Sequence, residues 1–246
     1  MSSMSSTKVA LVAGVGAVAG LGAALAARFA REGYAAVVAG RTANKLDAVV
    51  SAIEQQGGRA HAVAMDVGVE EQVEALVRTA EGYGPIEIAV YNAGGNNPSP
   101  SLSTSAKAFE DMWRTGTLGG MVFGRESVKA MLPRGRGTLL YTGASASLRG
   151  RPNFVAFAAA KAGLRAIAQA YAREFGPRGI HVAHVVIDGG VDGERLWAFA
   201  KPMAEAKGES GLLDLGAIAE AYWQLHLQHK TAWSQEIDLR PFKEPF

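Results

Sequence analysis

The sequence predicts an α/β fold in which a doubly wound parallel sheet of about seven strands is flanked by helices. Short apolar runs alternate with helical stretches along most of the 246 residues, as they do in repeated strand–helix–strand units. The predicted strands are continuously apolar, which is typical of parallel strands that are covered on both faces. No repeat or linker divides the chain, so we predict one domain over residues 1–246, with a flexible tail at 1–7.

The first half of the chain is predicted to contain four strands and three helices. Gly33 ends the first helix and Gly57 ends the second, because glycine readily adopts the left-handed conformation that closes a helix. In chain order the elements are a strand at 9–13, a helix at 22–31, a strand at 35–39, a helix at 44–56, a strand at 60–64, a helix at 70–82 and a strand at 86–91.

The second half begins with a loop at 92–103 that is rich in Gly, Pro, Ser and Asn. A long helix at 106–132, a strand at 138–142, a helix at 154–175 and a strand at 180–187 follow it. Residues 193–216 are predicted to form a mobile or helical excursion. A helix at 217–229 and a short strand at 234–239 complete the pattern.

Composition excludes several classes of function. The net charge of +2 is too small to indicate a nucleic-acid or membrane partner. The absence of cysteine excludes thiolate chemistry, and the histidines lack the third ligand of a metal site, so no metal is predicted. Residues 9–27 are uncharged over almost the length of a membrane span, but a buried strand, a glycine turn and a helix explain this Ala- and Gly-rich stretch better. The uncharged start is unlike a secretory signal, so we expect a cytoplasmic protein.

The turn between the first strand and the first helix is rich in glycine. Gly14, Gly16, Gly20 and Gly22 would let the backbone turn sharply and approach a pyrophosphate at the helix N-terminus. An ordinary tight turn is the alternative. The position between a first strand and a first helix favours phosphate binding, and it predicts a Rossmann fold that binds a dinucleotide.

The end of the second strand indicates which dinucleotide binds. NAD-binding folds usually carry an acid there to hold the ribose 2′-hydroxyl, whereas this chain has Arg41 and no acid before Asp47. A guanidinium can hold a 2′-phosphate with two parallel hydrogen bonds, and Lys45 could add charge. A solvated surface arginine is the alternative reading of Arg41. The pattern favours NADP(H) over NAD(H).

Together with the glycine turn, four further motifs resemble those of the short-chain dehydrogenase/reductase family. They are Asp66-Val67, Asn92-Ala93-Gly94, Ala160-Lys161-Ala162-Gly163 and the lead into strand six at 176–182. The resemblance implies cofactor contacts at Gly14, Gly16, Gly20, Leu21, Gly22, Arg41, Asp66, Val67, Asn92, Ala93, Gly94, Lys161, Ile187 and Gly189. It also implies a homodimer or homotetramer, packed through the helices at 106–132 and 154–175.

The catalytic positions depart from the family pattern. The resemblance implies acid–base catalysis by a tyrosine four residues before the lysine, with a serine thirteen residues before that tyrosine. These positions hold Phe157 and Ala144, while Lys161 is retained. The asparagine expected in the long helix falls near Gly116, and Asp188 stands where the family usually has a proline. Three of the four usual catalytic groups are therefore predicted to be missing.

The leading hypothesis is an NADP(H)-dependent oxidoreductase that acts on a carbonyl or alcohol group of a small-molecule substrate. Lys161 would hold the nicotinamide ribose, although a helix-surface lysine is the alternative. The missing proton donor could be Ser145, Tyr141, Asp188 or an ordered water. Ser145 and Asp188 have structural alternatives, as residues that cap a turn or a helix.

Two further expectations follow from the same residues. The apolar cluster of Leu196, Trp197 and Phe199 is predicted to form a lid over the substrate. The second functional hypothesis, motivated by Phe157 and Ala144, is a dinucleotide-binding protein with little or no turnover, which acts as a sensor or a partner subunit.

Overall fold

The computed structural model of the chain describes residues 7–245 and contains one seven-stranded sheet. All six strand pairings are parallel, and the strand order is β3-β2-β1-β4-β5-β6-β7. The strands are β1 Val9–Ala13, β2 Ala35–Gly40, β3 Arg59–Ala64, β4 Ile86–Tyr91, β5 Gly137–Thr142, β6 Ile180–Ile187 and β7 Glu236–Leu239. The predicted tail at 1–7 lies outside the described residues except for Thr7.

The connections between consecutive strands carry the helices, as a parallel sheet requires. They are α1 Leu21–Arg31, α2 Ala43–Glu54, α3 Glu70–Tyr83, α4 Ala106–Trp113, α5 Gly119–Met131, α6 Val155–Phe175, α7 Glu194–Lys207 and α8 Leu215–Leu227. Within the described part of the chain, none of these helices is long and apolar enough to cross a membrane.

Two apolar layers cover the sheet, one on each face. Every residue of β1, β2, β4 and β6 is buried. One layer includes Leu25 and Phe29 of α1 with Tyr222 of α8, and the other includes Phe123 of α5 with Leu164 of α6. Burial on both faces explains why these strands read as continuous apolar runs. The predicted α/β fold, a Rossmann-like parallel sheet flanked by helices, is confirmed.

The long helix predicted at 106–132 is interrupted by a π-helical turn at Arg114–Leu118. Close packing against α6 accounts for the interruption. A Cβ atom on Gly116 would lie 2.7 Å from the Ala160 Cβ, and the Thr117 hydroxyl donates to the Ala160 carbonyl at 2.8 Å. Such turns occur mostly as local insertions inside α-helices, frequently at functional sites.

The excursion predicted at 193–216 is largely helical. Helix α7 occupies residues 194–207 and bends at Ala200, two residues before Pro202. Proline removes a backbone donor and clashes with the preceding turn, which accounts for the bend. Helix α8 begins at Leu215, two residues earlier than predicted, because the Asp214 side chain accepts a hydrogen bond from the Ala217 amide at 2.7 Å.

Candidate active site

The carboxyl ends of β1 and β4 meet so closely that one position accepts only glycine. Gly14 has φ +92°, and a Cβ atom there would lie 2.3 Å from the Ala93 amide nitrogen. The Asn92 side chain donates to the Gly14 carbonyl at 3.0 Å. The glycine turn and the Asn92-Ala93-Gly94 segment, predicted separately, are therefore directly bonded.

The N-terminus of α1 has the features of an anion site. Gly20 caps the helix without a side-chain hydrogen bond, and the first turn carries no acid. A Cβ atom on Gly16 would have no neighbour within 4 Å, so open space lies beside the turn. Unpaired amide groups and the helix dipole both favour a phosphate group here. Leu21 is the first residue of α1, and Gly22 packs on the Gly14 carbonyl.

Arg41 lies at the outer rim of the turn. A Cβ atom on Gly40 would lie 2.2 Å from the Val15 carbonyl oxygen, so the end of β2 presses on the glycine turn. Arg41 follows directly and is exposed, and no carboxylate among residues 7–245 pairs with it. Lys45, in contrast, forms an ion pair with Glu194 at 3.3 Å. Arg41 is thus the cation available to an added ligand at this rim.

Asp66 and Val67 follow β3 on the same edge of the sheet. The Asp66 carboxylate accepts a hydrogen bond from the Gly68 amide at 2.8 Å, and Val67 is buried. Val67 lines a cleft of about 340 Å³ together with Leu118 and Val122. The predicted pair therefore lies beside an open cleft.

Lys161 occupies a buried position beside Gly94. Its Nζ donates to the Thr142 carbonyl at 2.7 Å and lies 3.2 Å from the position that a Cβ atom on Gly94 would take. Burial lowers the pKa of Lys161 to about 8, because the charged ammonium loses water contacts. A basic group with a near-neutral pKa therefore lies between the ends of β4 and β5.

Thr142 also has a tyrosine partner, which no local pattern in the sequence predicts. The Thr142 Oγ1 and Tyr222 Oη atoms lie 2.8 Å apart. Burial raises the pKa of Tyr222 well above its usual range. The predicted candidate Tyr141 is also buried in the core, where its hydroxyl donates to the Gly120 carbonyl at 3.2 Å, and burial raises its pKa as well. Both hydroxyls hold their protons firmly.

The residues at the expected tyrosine and serine positions are apolar. Phe157 is half-buried on α6, one turn before Lys161, and Ala144 follows β5. Ser145 begins a short 3₁₀ turn, and its carbonyl accepts hydrogen bonds from the Leu148 and Arg149 amides. Ser145 is half-buried at the same edge of the sheet as Lys161.

A buried chain of side chains lies beneath this turn. The Ser147 hydroxyl is 3.3 Å from His184 Nε2, His184 Nδ1 is 2.9 Å from Glu236, and Arg165 donates twice to Glu236 at 2.6 and 2.7 Å. Burial lowers the pKa of His184 to about 4, against the opposing effect of Glu236. The Ala144 amide donates to Ser147 Oγ at 3.2 Å, so the chain fixes the turn that carries Ser145.

Asp188 lies at the end of β6, one residue after Ile187. Its carboxylate is 1% exposed and accepts hydrogen bonds from Arg149 at 3.1 Å and Arg240 at 2.9 Å. Gly189 packs against Pro241, whose Cδ would lie 2.7 Å from a Cβ atom there. Two guanidinium groups thus hold the carboxylate in place through charge-assisted hydrogen bonds. Asp188 therefore ties the loops after β5 and β6 to the C-terminal segment.

The predicted lid residues lie in and around the first turn of α7. Leu196 packs near Gly190, and Trp197 donates its indole N–H to Asp192 at 2.6 Å. The Phe199 side chain is 85% exposed. Trp197 is also exposed, at 38%, so two members of the cluster are open to a ligand or to water. No cluster of metal-ligating groups occurs in the part of the chain described here.

A parallel sheet with a glycine turn and a helix N-terminus that lacks a side-chain cap at its carboxyl edge is the arrangement of the dinucleotide-binding Rossmann class of proteins. A family model of short chain dehydrogenases matches residues 8–201. The chain belongs to this family.

Individual relatives agree with this assignment. A short-chain dehydrogenase/reductase of Armillaria gallica is 33% identical over 184 residues, which is 73% of this chain and 70% of that protein. A short-chain dehydrogenase from Rhodopseudomonas palustris is 38% identical, with a TM-score of 0.82 over 97% of this chain and 100% of that one. A 7α-hydroxysteroid dehydrogenase in complex with NADH and 7-oxo glycochenodeoxycholic acid is 25% identical, with a TM-score of 0.86 over 96% and 93% of the two chains.

Proposed function

We propose that the protein is an NADP(H)-dependent oxidoreductase that interconverts a carbonyl and an alcohol group of a small-molecule substrate. One observation carries the proposal: Lys161 is buried beside Gly94, where a nicotinamide ribose would reach it, and its Nζ is anchored on the Thr142 carbonyl. The bound nicotinamide would supply or accept a hydride. The protein would bind the cofactor, orient the substrate and transfer the proton.

The dinucleotide fits the residues that are present. Amide groups at the uncapped start of α1 would hold the diphosphate, and the space beside Gly16 would admit it. Arg41 would hold the 2′-phosphate that distinguishes NADP(H), because it is exposed and no described carboxylate neutralises it. Asp66 and Val67 would lie against the adenine, beside the cleft that Val67 lines.

Lys161 is our proposed proton donor in place of the family tyrosine, since Phe157 at that position has no exchangeable proton. In the reductive direction the substrate carbon gains a hydride and the substrate oxygen takes a proton from Lys161 Nζ. The neutral amine then regains a proton from water. A pKa of about 8 suits this exchange near neutral pH.

Two other residues receive proposed roles at the site. Ser145 would donate a hydrogen bond to the substrate oxygen, because its turn is fixed from below by Ser147. Asp188 is assigned to positioning the loops, since both of its oxygens accept from guanidinium groups. We also propose a homodimer or homotetramer that packs through α4, α5 and α6, which cover the predicted helices at 106–132 and 154–175.

The test separates cofactor binding from turnover. Calorimetry gives the dissociation constants for NADPH and NADH, and NADPH absorbance follows turnover on a panel of carbonyl compounds. Tight NADPH binding with turnover supports the proposal, and an absence of NADPH binding would overturn it. Tight binding without turnover on any compound would instead support the second function, a dinucleotide sensor or partner subunit, which the apolar residues Phe157 and Ala144 favour.

Substitution of Phe157 with tyrosine tests how the site replaced its acid. If Lys161 now supplies the proton, Phe157→Tyr raises kcat/KM less than about tenfold, because a competent donor is already present. A gain of about a hundredfold or more would show that the site had lost its acid rather than moved it.

A further inference from the structure

The start of α7 crosses the carboxyl edge of the sheet and contacts three separate segments. The Glu194 amide donates to the Ala19 carbonyl in the glycine turn at 2.8 Å, and the Glu194 carboxylate pairs with Lys45 of α2 at 3.3 Å. The next residue, Arg195, donates from Nη2 to the Asn97 side chain at 3.0 Å. Asn97 belongs to the loop after β4. These contacts fix the first turn of α7 over the cofactor and substrate region.

Arg195 carries a charge that its partner does not neutralise. The Asn97 amide is neutral, and a guanidinium has five N–H donors, so most of them remain free. The nearby acids are engaged elsewhere: Glu194 with Lys45 and Asp192 with the Trp197 indole. No carboxylate among the described residues forms an ion pair with Arg195.

The guanidinium also approaches the loop after β4, which contacts the group that we assign to proton transfer. Arg195 Nη2 is 3.7 Å from the position that a Cβ atom on Gly95 would take, and Lys161 Nζ is 3.2 Å from the equivalent position on Gly94. Two cations thus flank two consecutive glycines. Neither glycine carries a side chain, so no Cβ atom occupies the space beside either cation.

We propose that Arg195 binds an oxyanion, which is either a carboxylate of the substrate or the diphosphate of the dinucleotide. The inference rests on the proposed function, because it places the ligand at the first turn of α7, which bonds to the glycine turn through the Glu194 amide. A planar guanidinium that is pre-oriented by Asn97 can hold such a group with two parallel hydrogen bonds. Binding of the anion would also hold the first turn of α7 closed over the site, since Arg195 is part of that turn.

Arg195→Gln removes the charge and keeps a side chain that can still bond to Asn97. Its matched control is Arg173→Gln, because Arg173 is also exposed and also donates to a neutral oxygen, the Gln169 carbonyl at 3.0 Å. Calorimetry measures the binding of NADPH and of 2′-AMP, which lacks the diphosphate. It also measures, on the NADP⁺ complex, the binding of a series of 2-oxo acids that are each paired with the methyl ester.

If the anion belongs to the substrate, Arg195→Gln weakens binding of the oxo acids about 10- to 100-fold and leaves the esters and NADPH unchanged. If the anion belongs to the cofactor, NADPH binding weakens by the same factor and 2′-AMP binding does not. Either result supports the proposal. The proposal is overturned if Arg195→Gln and Arg173→Gln have the same affinity for every ligand. This includes the case in which no oxo acid binds. Wild-type protein that binds these ligands but turns over no carbonyl compound overturns only the proposed function.

Discussion

The chemistry of Lys161 is set by its surroundings more than by its residue type. Removal of water disfavours the ammonium form and lowers the pKa to about 8. The Thr142 carbonyl, at 2.7 Å, keeps one acceptor for the charged form. In the proposed mechanism this combination would make Lys161 a stronger acid than an exposed lysine, while water could still reprotonate it near neutral pH.

We expect Lys161→Met to lower kcat/KM for carbonyl reduction about 10²- to 10⁴-fold, the usual contribution of a positioned acid. In the wild-type protein the same rate should fall as the pH rises through about 8, because the protonated form of Lys161 donates. Stopped-flow absorbance of NADPH between pH 6 and 10 measures both effects.

Lys129→Met is the control for that experiment. Lys129 is exposed on α5, pairs with Glu126 on the same helix and belongs to none of the motifs of the proposed site. It should retain the wild-type rate. A Lys161→Met variant that folds, binds NADPH and keeps the wild-type pH profile would contradict the assignment of Lys161 as the acid.

Arg41 should determine the choice of dinucleotide. We expect Arg41→Ala to weaken NADPH binding about 10- to 100-fold and to change NADH binding less than about twofold, because only NADPH carries the 2′-phosphate. Calorimetry with both cofactors measures the ratio. Arg31→Ala, at the exposed far end of α1, should change neither, and an equal loss for NADPH and NADH in Arg41→Ala would refute the role.

At the scale of elements, the glycine turn and the lysine motif could be predicted because their information is local. Gly14, Gly94 and Lys161 lie within short motifs, and the sequence predicts whether each motif follows a strand or lies on a helix. The bond between His184 and Glu236 is different, since it depends on strand pairing. The parallel register of β6 and β7 places these two residues directly opposite each other. The sequence around either residue contains no local pattern that predicts this pairing.

The π-helical turn at Arg114–Leu118 was also not predicted from the sequence, and there is a physical reason for this. Its cause is the contact between Gly116 and Ala160 on α6, together with the Tyr91 hydroxyl, which donates to the Thr115 carbonyl at 2.5 Å. These partners come from two elements, β4 and α6, that are distant from the turn in sequence. Hydrophobic periodicity reports which face of a helix is buried, but not how close a neighbouring helix approaches.

The junction of β1, β4 and α1 leads to a prediction about Gly14. We expect Gly14→Ala to lower the free energy of unfolding by about 2–5 kcal/mol. The substitution forces an alanine into a backbone conformation with positive φ and brings its methyl group into a clash with the Ala93 backbone. Urea denaturation followed by circular dichroism measures this loss. Gly16→Ala is the matched control, with no neighbour within 4 Å of the new methyl group, and should cost less than about 1 kcal/mol. Equal stability of the two variants would refute the close approach.

At the scale of the whole molecule, the site depends on segments that meet only in the folded chain. Asp188 joins Arg149, from the loop after β5, to Arg240 near the C-terminus. Gly189 packs on Pro241 in the same segment. Local motifs in the sequence indicate the glycine-turn side of the proposed site, whereas the proposed substrate side carries few such motifs, because it is assembled from long-range contacts around Asp188 and His184.

The same long-range assembly buries histidines, and this should appear in the pH dependence of stability. His184 bonds to Glu236 and Ser147, and His226 lies 2.9 Å from both the Tyr34 hydroxyl and the Thr138 hydroxyl. Burial lowers the pKa of each histidine to about 4. In the unfolded chain each would titrate near its ordinary value of about 6.5.

Between pH 6.5 and 4 the unfolded chain therefore binds a proton at each histidine that the folded chain does not. The stabilisation is complete above the unfolded pKa and is lost as the pH falls toward the folded pKa. We expect the free energy of unfolding to decline by about 1.4 kcal/mol per pH unit for each histidine within this window. Urea denaturation at pH 7, 6 and 5 gives the slope. His184→Asn should reduce the slope by the contribution of one histidine, whereas the control His229→Asn, at an exposed position, should keep the wild-type slope. A His184→Asn slope equal to that of the wild type would show that His184 is protonated in the folded protein.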